Sequence, residues 1–271
     1  ASDVYKRQKK KYPLGLALSG GGARGFAHIG AIKALDEKGI IPDIIAGTSA
    51  GAVVGAFYAA GISPEEMMEL FIRHEVKDFL SFTLPNKSLL NYKGFADFLG
   101  KSIPYRNIED LQKTLYIVAS DFDTGQCSVF TKGELIPRIM ASCTIPVLFE
   151  PIKIDGVRYV DGGLFRNFPV TPIRDVCDKI IGINVNPYLT DEHKENILYI
   201  AAKSWQYVFN ANTAIDRQSC DFLLEIDSVS KYNTFELKKA PEIYDIGYKK
   251  MKELLDTNCI CLLYTSDAAD D

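Results

Sequence analysis

Five consecutive residues, Gly47-Thr48-Ser49-Ala50-Gly51, constrain this chain more than any others. An apolar run, residues 44–46, precedes them and reads as a buried strand, and the small-residue stretch 52–60 reads as a helix. A strand that passes through a sharp Gly-x-Ser-x-Gly turn into a helix is the setting of a nucleophile elbow, which exposes the serine hydroxyl at the tip of the turn. Such a turn strains the serine backbone, and a Cβ at either glycine would crowd the neighbouring strand or helix. The helix also directs free N–H groups and the positive end of its dipole at the same point, which suits a developing anion. A flexible turn could carry the same residues, so it is the strand before and the helix after that make Ser49 a candidate nucleophile.

A second glycine cluster lies upstream. Residues 14–19 read as a short strand, followed directly by Gly20-Gly21-Gly22-Ala23-Arg24-Gly25. Residues 26–38 then place apolar side chains at helical spacing, closed by Gly39 as the C′ residue. The loop satisfies the dinucleotide fingerprint Gly-x-Gly-x-x-Gly. A dinucleotide fold, however, wants an acidic residue at the end of the second strand to hold the ribose. Here Asp43 stands at the beginning of that strand, which ends in Gly47-Thr48-Ser49, and no Gly-Lys-Ser/Thr marks a P-loop. The remaining use is an oxyanion hole, in which Gly20, Gly21 and Gly22 offer backbone N–H groups near Ser49. Arg24, a cation at a helix start where the dipole disfavours it, is expected to brace the loop.

A serine nucleophile needs a base. Of the three histidines, His28 lies one turn past the glycine loop and is expected to pack behind it. His74 ends a helix over residues 63–74, where a cation is favourable. His193 sits in the polar stretch Asp191-Glu192-His193-Lys194-Glu195 and reads as solvated, although it completes the Ser, Asp, His order of α/β-hydrolases. Those enzymes place several strands before the elbow, whereas Ser49 follows the second. The other candidate is Asp161, in Val160-Asp161-Gly162-Gly163. The hairpin over 152–160 already turns at Asp155-Gly156. Asp161 therefore follows an apolar strand and precedes two glycines that would let it approach another loop.

Further strands are expected over 115–119, 127–130, 179–185 and 221–226, and helices over 134–142, 169–176, 196–219 and 241–255. Strands alternating with helices predict an α/β fold with a mainly parallel sheet. No repeat or long linker divides the chain, so one domain over residues 13–258 is expected. Residues 76–104 are rich in Phe and Leu, and read either as core or as a groove for an acyl chain. The net charge of −4 argues against a nucleic-acid partner. The six cysteines, Cys127, Cys143, Cys177, Cys220, Cys259 and Cys261, are scattered without ligand spacing, which predicts neither a metal site nor a disulfide framework and favours a reducing compartment. The longest apolar run, residues 50–61, is too short and glycine-rich to span a bilayer. Residues 1–8 and 261–271 lack periodicity, do not continue their neighbours and are expected to be non-native ends.

Taken together, Gly20-Gly21-Gly22-Ala23-Arg24-Gly25, Gly47-Thr48-Ser49-Ala50-Gly51 and Asp161-Gly162-Gly163 resemble the patatin-like phospholipase family, in its compact bacterial form. The flanks Ala27-His28-Ile29-Gly30, Ala141-Ser142-Cys143-Thr144-Ile145-Pro146 and Asn167-Phe168-Pro169-Val170 agree, and the resemblance covers residues 13–185. It implies a three-layer α/β sandwich and a Ser49–Asp161 dyad that works without histidine. It also implies an oxyanion hole at Gly20, Gly21 and Gly22, supported by Arg24, Gly25, Gly47, Gly51, Gly162 and Gly163. The implied substrate is a phospholipid or lysophospholipid ester, cleaved through an acyl-enzyme with no cofactor or metal. The implied setting is cytoplasmic, with peripheral membrane contact. An aspartate ordinarily titrates near about 3.9, so a working base must have that value raised by burial. Lys249, Lys250 and Lys252 on the last helix would either touch anionic lipid or form a solvated face. Two other readings stand beside this one: a carboxylesterase using a Ser49–Asp161–His193 triad, and a non-catalytic protein whose glycine loop holds an anionic lipid headgroup.

Overall fold

The structure, a computed structural model, describes residues 10–82, 90–186 and 197–257. Strand β1 (Tyr12–Leu18) passes through a 3-10 turn (Gly22–Gly25) into helix α1 (Phe26–Glu37), and β2 (Ile44–Thr48) passes through Ser49 into α2 (Ala50–Ala59). Next come α3 (Pro64–Ile72), the single turn α4 (Val76–Phe79), the short strands β3 (Ser81–Phe82) and β4 (Leu90–Asn91), and α5 (Lys93–Ser102). Strands β5 (Thr114–Asp121) and β6 (Gln126–Phe130) form a hairpin, and α6 (Leu135–Ser142) leads to a second hairpin, β7 (Ile152–Ile154) and β8 (Val157–Asp161). Single turns α7 (Gly163–Arg166) and α8 (Thr171–Arg174) precede β9 (Cys177–Asn184). The described chain ends with α9 (Ile197–Ala211), α10 (Ala214–Ser219), β10 (Phe222–Glu225) and α11 (Ala240–Thr257).

The main sheet runs β10-β9-β1-β2-β5-β8-β7, with β6 also on β5. Strands β10, β9, β1, β2 and β5 are parallel, and β6, β7 and β8 enter antiparallel. Alternate residues face opposite sides of a strand. Leu14, Leu16, Leu18, Ile45, Ile181 and Ile183 accordingly join one core with α1, α2 and α11, while Ala17, Ile44, Ala46 and Ile180 join a second with Phe168, Val170 and Ile173. Burial on both faces explains why the central strands are apolar throughout. The result is a sheet flanked by helices.

One register detail decides where the site forms. Strand β2 pairs with β5 only as far as Thr48↔Val118, and β8 takes over the same edge from Ala119↔Asp161, with β6 on the opposite edge. The C-terminal ends of β2 and β8 therefore meet end to end, and the residue after Thr48 is brought beside Asp161.

Most expected elements are present, including the capping box at Ser63 and Glu66 and the hairpin turn, where Asp155 and Gly156 both have positive φ, 51° and 90°. Two helices differ from expectation. The stretch 196–219 is not one helix: α9 and α10 are separated at Asn212 and Thr213, and the Asn212 amide bonds outside the helix, to the Gly163 and Leu164 carbonyls. The stretch 169–176 reduces to the single turn α8, with Val170 and Ile173 packed into the second core. The described residues of 76–104 contribute both to the core and to the wall of a cavity. Rings of Phe79, Phe95 and Phe98 pack with Phe57, Phe71 and His74, and Phe79 and Phe95 also line a cavity. His193 and the expected non-native ends lie outside the described residues.

Candidate active site

Ser49 caps α2 with φ 51° and ψ −120°. For a non-glycine residue such a conformation costs on the order of 1–3 kcal/mol and persists only where the surroundings enforce it. They do so here. The Ser49 N–H donates to Ser142 Oγ at 2.8 Å, and Thr48 Oγ1 donates to the Arg166 carbonyl at 2.8 Å. A Cβ on Gly47 would run into the Gly51 carbonyl, and one on Gly51 into the Leu18 carbonyl. Neither elbow glycine has positive φ, so both are required for space.

Asp161 ends β8 and is only 2% exposed. Its main chain is held on both sides: the N–H donates to the Thr144 carbonyl at 2.7 Å, and the carbonyl accepts from Ser120 Oγ at 2.9 Å. Oδ1 accepts the Gly163 N–H at 2.7 Å. Burial pushes the carboxyl up to about 6, against the opposing pull of the Gly163 N–H and of the Ser49 hydroxyl, which interacts with the same carboxylate. A Cβ on Gly162 would meet the Val118 carbonyl, and one on Gly163 would crowd Asp161 Oδ1. The glycines after Asp161 thus permit the close approach expected of them.

In the glycine loop, Gly20 N–H donates to the Asn167 carbonyl at 2.9 Å and Ala23 N–H to the Thr234 carbonyl at 2.7 Å. The Gly21 carbonyl accepts from both the Arg24 N–H at 3.3 Å and Arg24 Nε at 3.2 Å, so Arg24 does brace the loop. The N–H groups of Gly21 and Gly22 have no hydrogen-bond partner among the described residues. The loop lies against the elbow: a Cβ on Gly20 would come within 3.3 Å of Ser49 Cβ, and one on Gly25 within 2.7 Å of Ala50 Cβ.

His28 is fully buried, and its Nε2–H donates to the Ser19 carbonyl at 2.8 Å. Burial lowers it to about 4, so it stays neutral and anchors the end of β1. His74 hydrogen-bonds through Nδ1 to the Leu70 carbonyl at 2.9 Å and stacks on Phe79. It closes α3 as expected, but within an aromatic cluster. Lys250 pairs with Glu253 at 2.7 Å and Lys252 lies against the Tyr248 hydroxyl, as on a solvated face of mixed charge.

A cavity of about 150 Å³ opens beside Ser49. Phe26, Val53, Phe71, Phe79, Phe95 and Met140 give it apolar walls, and Thr234 and Phe235 close one side. Among the described residues, no three His, Cys, Asp or Glu side chains cluster so as to hold a metal ion, and no helix is long and apolar enough to cross a membrane.

The sequence reading did not assign roles to Ser142, Thr144, Asn167, Asn212 or Thr234, all of which hold parts of this site. The first three lie in two of the three flanking motifs, which were the available signal. Asn212 and Thr234 carried none.

Comparison with known proteins bears on this arrangement. The patatin-like phospholipase family model matches residues 16–173, more than half of the chain. The chain is 28% identical over 276 residues to the lysophospholipase NTE1 of Coccidioides immitis, covering 90% of this chain and 18% of that protein. It is 35% identical over 176 residues to an uncharacterized NTE family protein of Mycobacterium bovis, covering 64% of this chain and 49% of that one. The chain thus spans half or less of the length of these relatives. Among solved structures, VipD from Legionella pneumophila shares the fold, with a TM-score of 0.52 at 15% identity over 91% of this chain and 67% of that one.

Proposed function

The chain belongs to the patatin-like phospholipase family, and from that premise we propose that it is a serine lipid acyl hydrolase of phospholipase A or lysophospholipase type, with Ser49 as nucleophile and Asp161 as base. The observation that carries the reading is the meeting of the Ser49 hydroxyl with a buried, upshifted Asp161 carboxyl beside an apolar cavity. The cavity suits the acyl chain. The name of the fungal relative, a lysophospholipase, supports a phospholipid or lysophospholipid ester presented at a lipid surface.

In the proposed cycle, Asp161 takes the Ser49 hydroxyl proton as Oγ attacks the ester carbonyl. The tetrahedral oxyanion accepts hydrogen bonds from Gly21 and Gly22, the two loop N–H groups without a partner among the described residues. The Gly20 N–H, committed to Asn167, holds the loop in place instead. Donors of this kind typically contribute about a hundred- to a thousandfold each. Asp161 then passes its proton to the departing alcohol, leaving the acyl group on Ser49. Water attacks that ester, Asp161 takes its proton, and the fatty acid leaves as Ser49 is reprotonated. A base titrating near pH 6 is ionised at neutral pH yet more basic than an ordinary aspartate. Activity should therefore rise with pH through about 6.

The test is hydrolysis of a short p-nitrophenyl acyl ester by wild type, Ser49→Ala, Asp161→Asn and His193→Ala. The first two variants should lose at least about a thousandfold in kcat, and His193→Ala should retain wild-type turnover. Loss of activity in folded His193→Ala would replace the dyad with a triad. A folded but inactive wild type would favour a lipid-binding role.

A further inference from the structure

The hydroxyl of Ser142 stands between the nucleophile and β5, the strand on which the base-bearing β8 pairs. It lies 2.6 Å from the Val118 carbonyl and 2.8 Å from the Ser49 main-chain nitrogen, and Ser142 is fully buried. A carbonyl can only accept, so the single hydroxyl proton goes to Val118 and a lone pair faces the Ser49 N–H. Val118 is the last β5 residue paired with β2, and its neighbour Ala119 pairs with Asp161. One side chain thus ties the elbow to the point on β5 where the edge passes from β2 to β8.

The residues around it extend the same tie. The Ser142 carbonyl accepts the Gly162 N–H at 3.4 Å, and the Thr144 carbonyl accepts the Asp161 N–H at 2.7 Å. Residues 142–144 therefore grip the main chain of both halves of the proposed dyad. Two of these grips are main-chain carbonyls that no substitution removes, whereas the grip on Ser49 is a side chain.

We infer that Ser142 is a positioning residue for the proposed acyl transfer: its hydroxyl fixes the strained Ser49 peptide so that Oγ points at Asp161. The inference rests on the hydrolase reading. Without the hydroxyl, the Ser49 N–H and the Val118 carbonyl lose their partner in a water-free spot. The Ser49 peptide is then free to rotate out of its strained conformation, carrying Oγ away from the carboxylate. Misplacement of a reacting group by about 1 Å costs on the order of a hundredfold in rate. Binding of the acyl chain, whose walls come from other residues, is not disturbed.

The experiment compares wild type, Ser142→Ala and Ser142→Cys on a short p-nitrophenyl ester, with Ser49→Ala as the blank. It measures kcat, KM and the pH profile on protein shown to be folded by circular dichroism. Cysteine fills the space but is a weak acceptor, which separates the hydrogen bond from the volume. Both variants should lose about 10- to 100-fold in kcat, with KM within about twofold and the profile midpoint kept near pH 6. Wild-type kcat in either variant overturns the assignment. So does a rate loss with raised KM and a displaced midpoint, which would mean collapse of the cavity and its buried carboxyl. Failure of both variants to fold assigns the hydroxyl to the fold and likewise overturns it. If wild type turns over no faster than Ser49→Ala, the hydrolase reading itself fails, an outcome distinct from an active wild type with unaffected Ser142 variants.

Discussion

Residues 16–173, which match the family model, contain Ser49, Asp161 and the glycine loop. Residues 197–257 lie outside that match and contain none of these, yet they hold the site in several places. The Thr234 carbonyl takes the Ala23 N–H beside the glycine loop, and Asn212 binds the Asn167 N–H and the Gly163 and Leu164 carbonyls. Asp216 ties down Arg166 and the Thr171 N–H, at 2.9 and 2.6 Å. Phe235 and Leu237 line the cavity. The two parts contribute by different kinds of demand. In the first, several glycines stand where a Cβ would collide with main-chain atoms, as at Gly47, Gly51 and Gly162. In the second, much of the work is done by main-chain carbonyls and by amides whose neighbours could be replaced.

The sharpest way to break this contrast is inside the elbow. Gly51→Ala would drive a methyl into the Leu18 carbonyl, a main-chain atom of a central strand that cannot move aside. We expect a loss of about 3 kcal/mol or more, or failure to fold, measured by denaturant unfolding. Gly100 is the control, because it also lies in the family-matched part, inside α5, but a Cβ there meets nothing within 4 Å. Gly100→Ala should stabilise the protein by about 0.5–1 kcal/mol. If Gly51→Ala is as benign as Gly100→Ala, the space argument for the elbow is wrong.

The same contrast explains what could be read from the sequence. Strand β1, the glycine loop, α1, β2 and the elbow were legible because steric demand selects their residues. Asp161 stood out because Asp155-Gly156 had already supplied the hairpin turn. The broken helix at Asn212 was not legible, since its cause is a bond to the Gly163 and Leu164 carbonyls across the fold. Nor was the division of labour among the loop glycines. Nothing in three successive glycines says that Gly20 spends its N–H on the Asn167 carbonyl while Gly21 and Gly22 keep theirs. The Ser142 link to Ser49 was hidden for a similar reason, because it depends on the register that brings Val118 beside the elbow, where the Ser142 hydroxyl bridges the two.

Asp161 offers a test in which stability and activity move in opposite directions. Its folded value, about 6, lies above the unfolded reference of 3.8. Between these values the folded protein holds a proton that the unfolded chain has lost, so stability falls as pH rises from about 4 to about 6 and stays lower above. Asp161→Asn removes that charge. It should therefore be more stable than wild type at neutral pH by on the order of 2 kcal/mol, with the difference vanishing below about pH 4, while activity is lost. Thermal unfolding of both proteins at acid and neutral pH measures the difference. Equal stability at both would mean that the carboxyl is not held against its charge.

In the second part of the chain, Asn212→Ala should cost about 1–3 kcal/mol, because it leaves the buried Asn167 N–H without its acceptor. Asn167 also carries the carbonyl that fixes Gly20, so kcat should fall as well, by about tenfold. Denaturant unfolding and ester hydrolysis separate the two effects. A stability loss with unchanged kcat would show that this part supports the fold alone.

Phe235→Ala should produce the smallest change. Its ring forms part of the cavity wall but is 39% exposed, so only part of the roughly 1.5–3 kcal/mol of a fully buried phenylalanine is at stake. The ring would contact the acyl chain equally before and after attack, and an interaction of that kind shows in KM and leaves kcat alone. For a p-nitrophenyl ester long enough to reach the wall, KM should rise about three- to tenfold, with kcat within about twofold of wild type. A fall in kcat instead would mean that the neighbouring Thr234 carbonyl shifts with the ring and releases Ala23. The segment would then act on the glycine loop, and the contrast between a part that carries the proposed catalytic residues and a part that supports them would have to be redrawn.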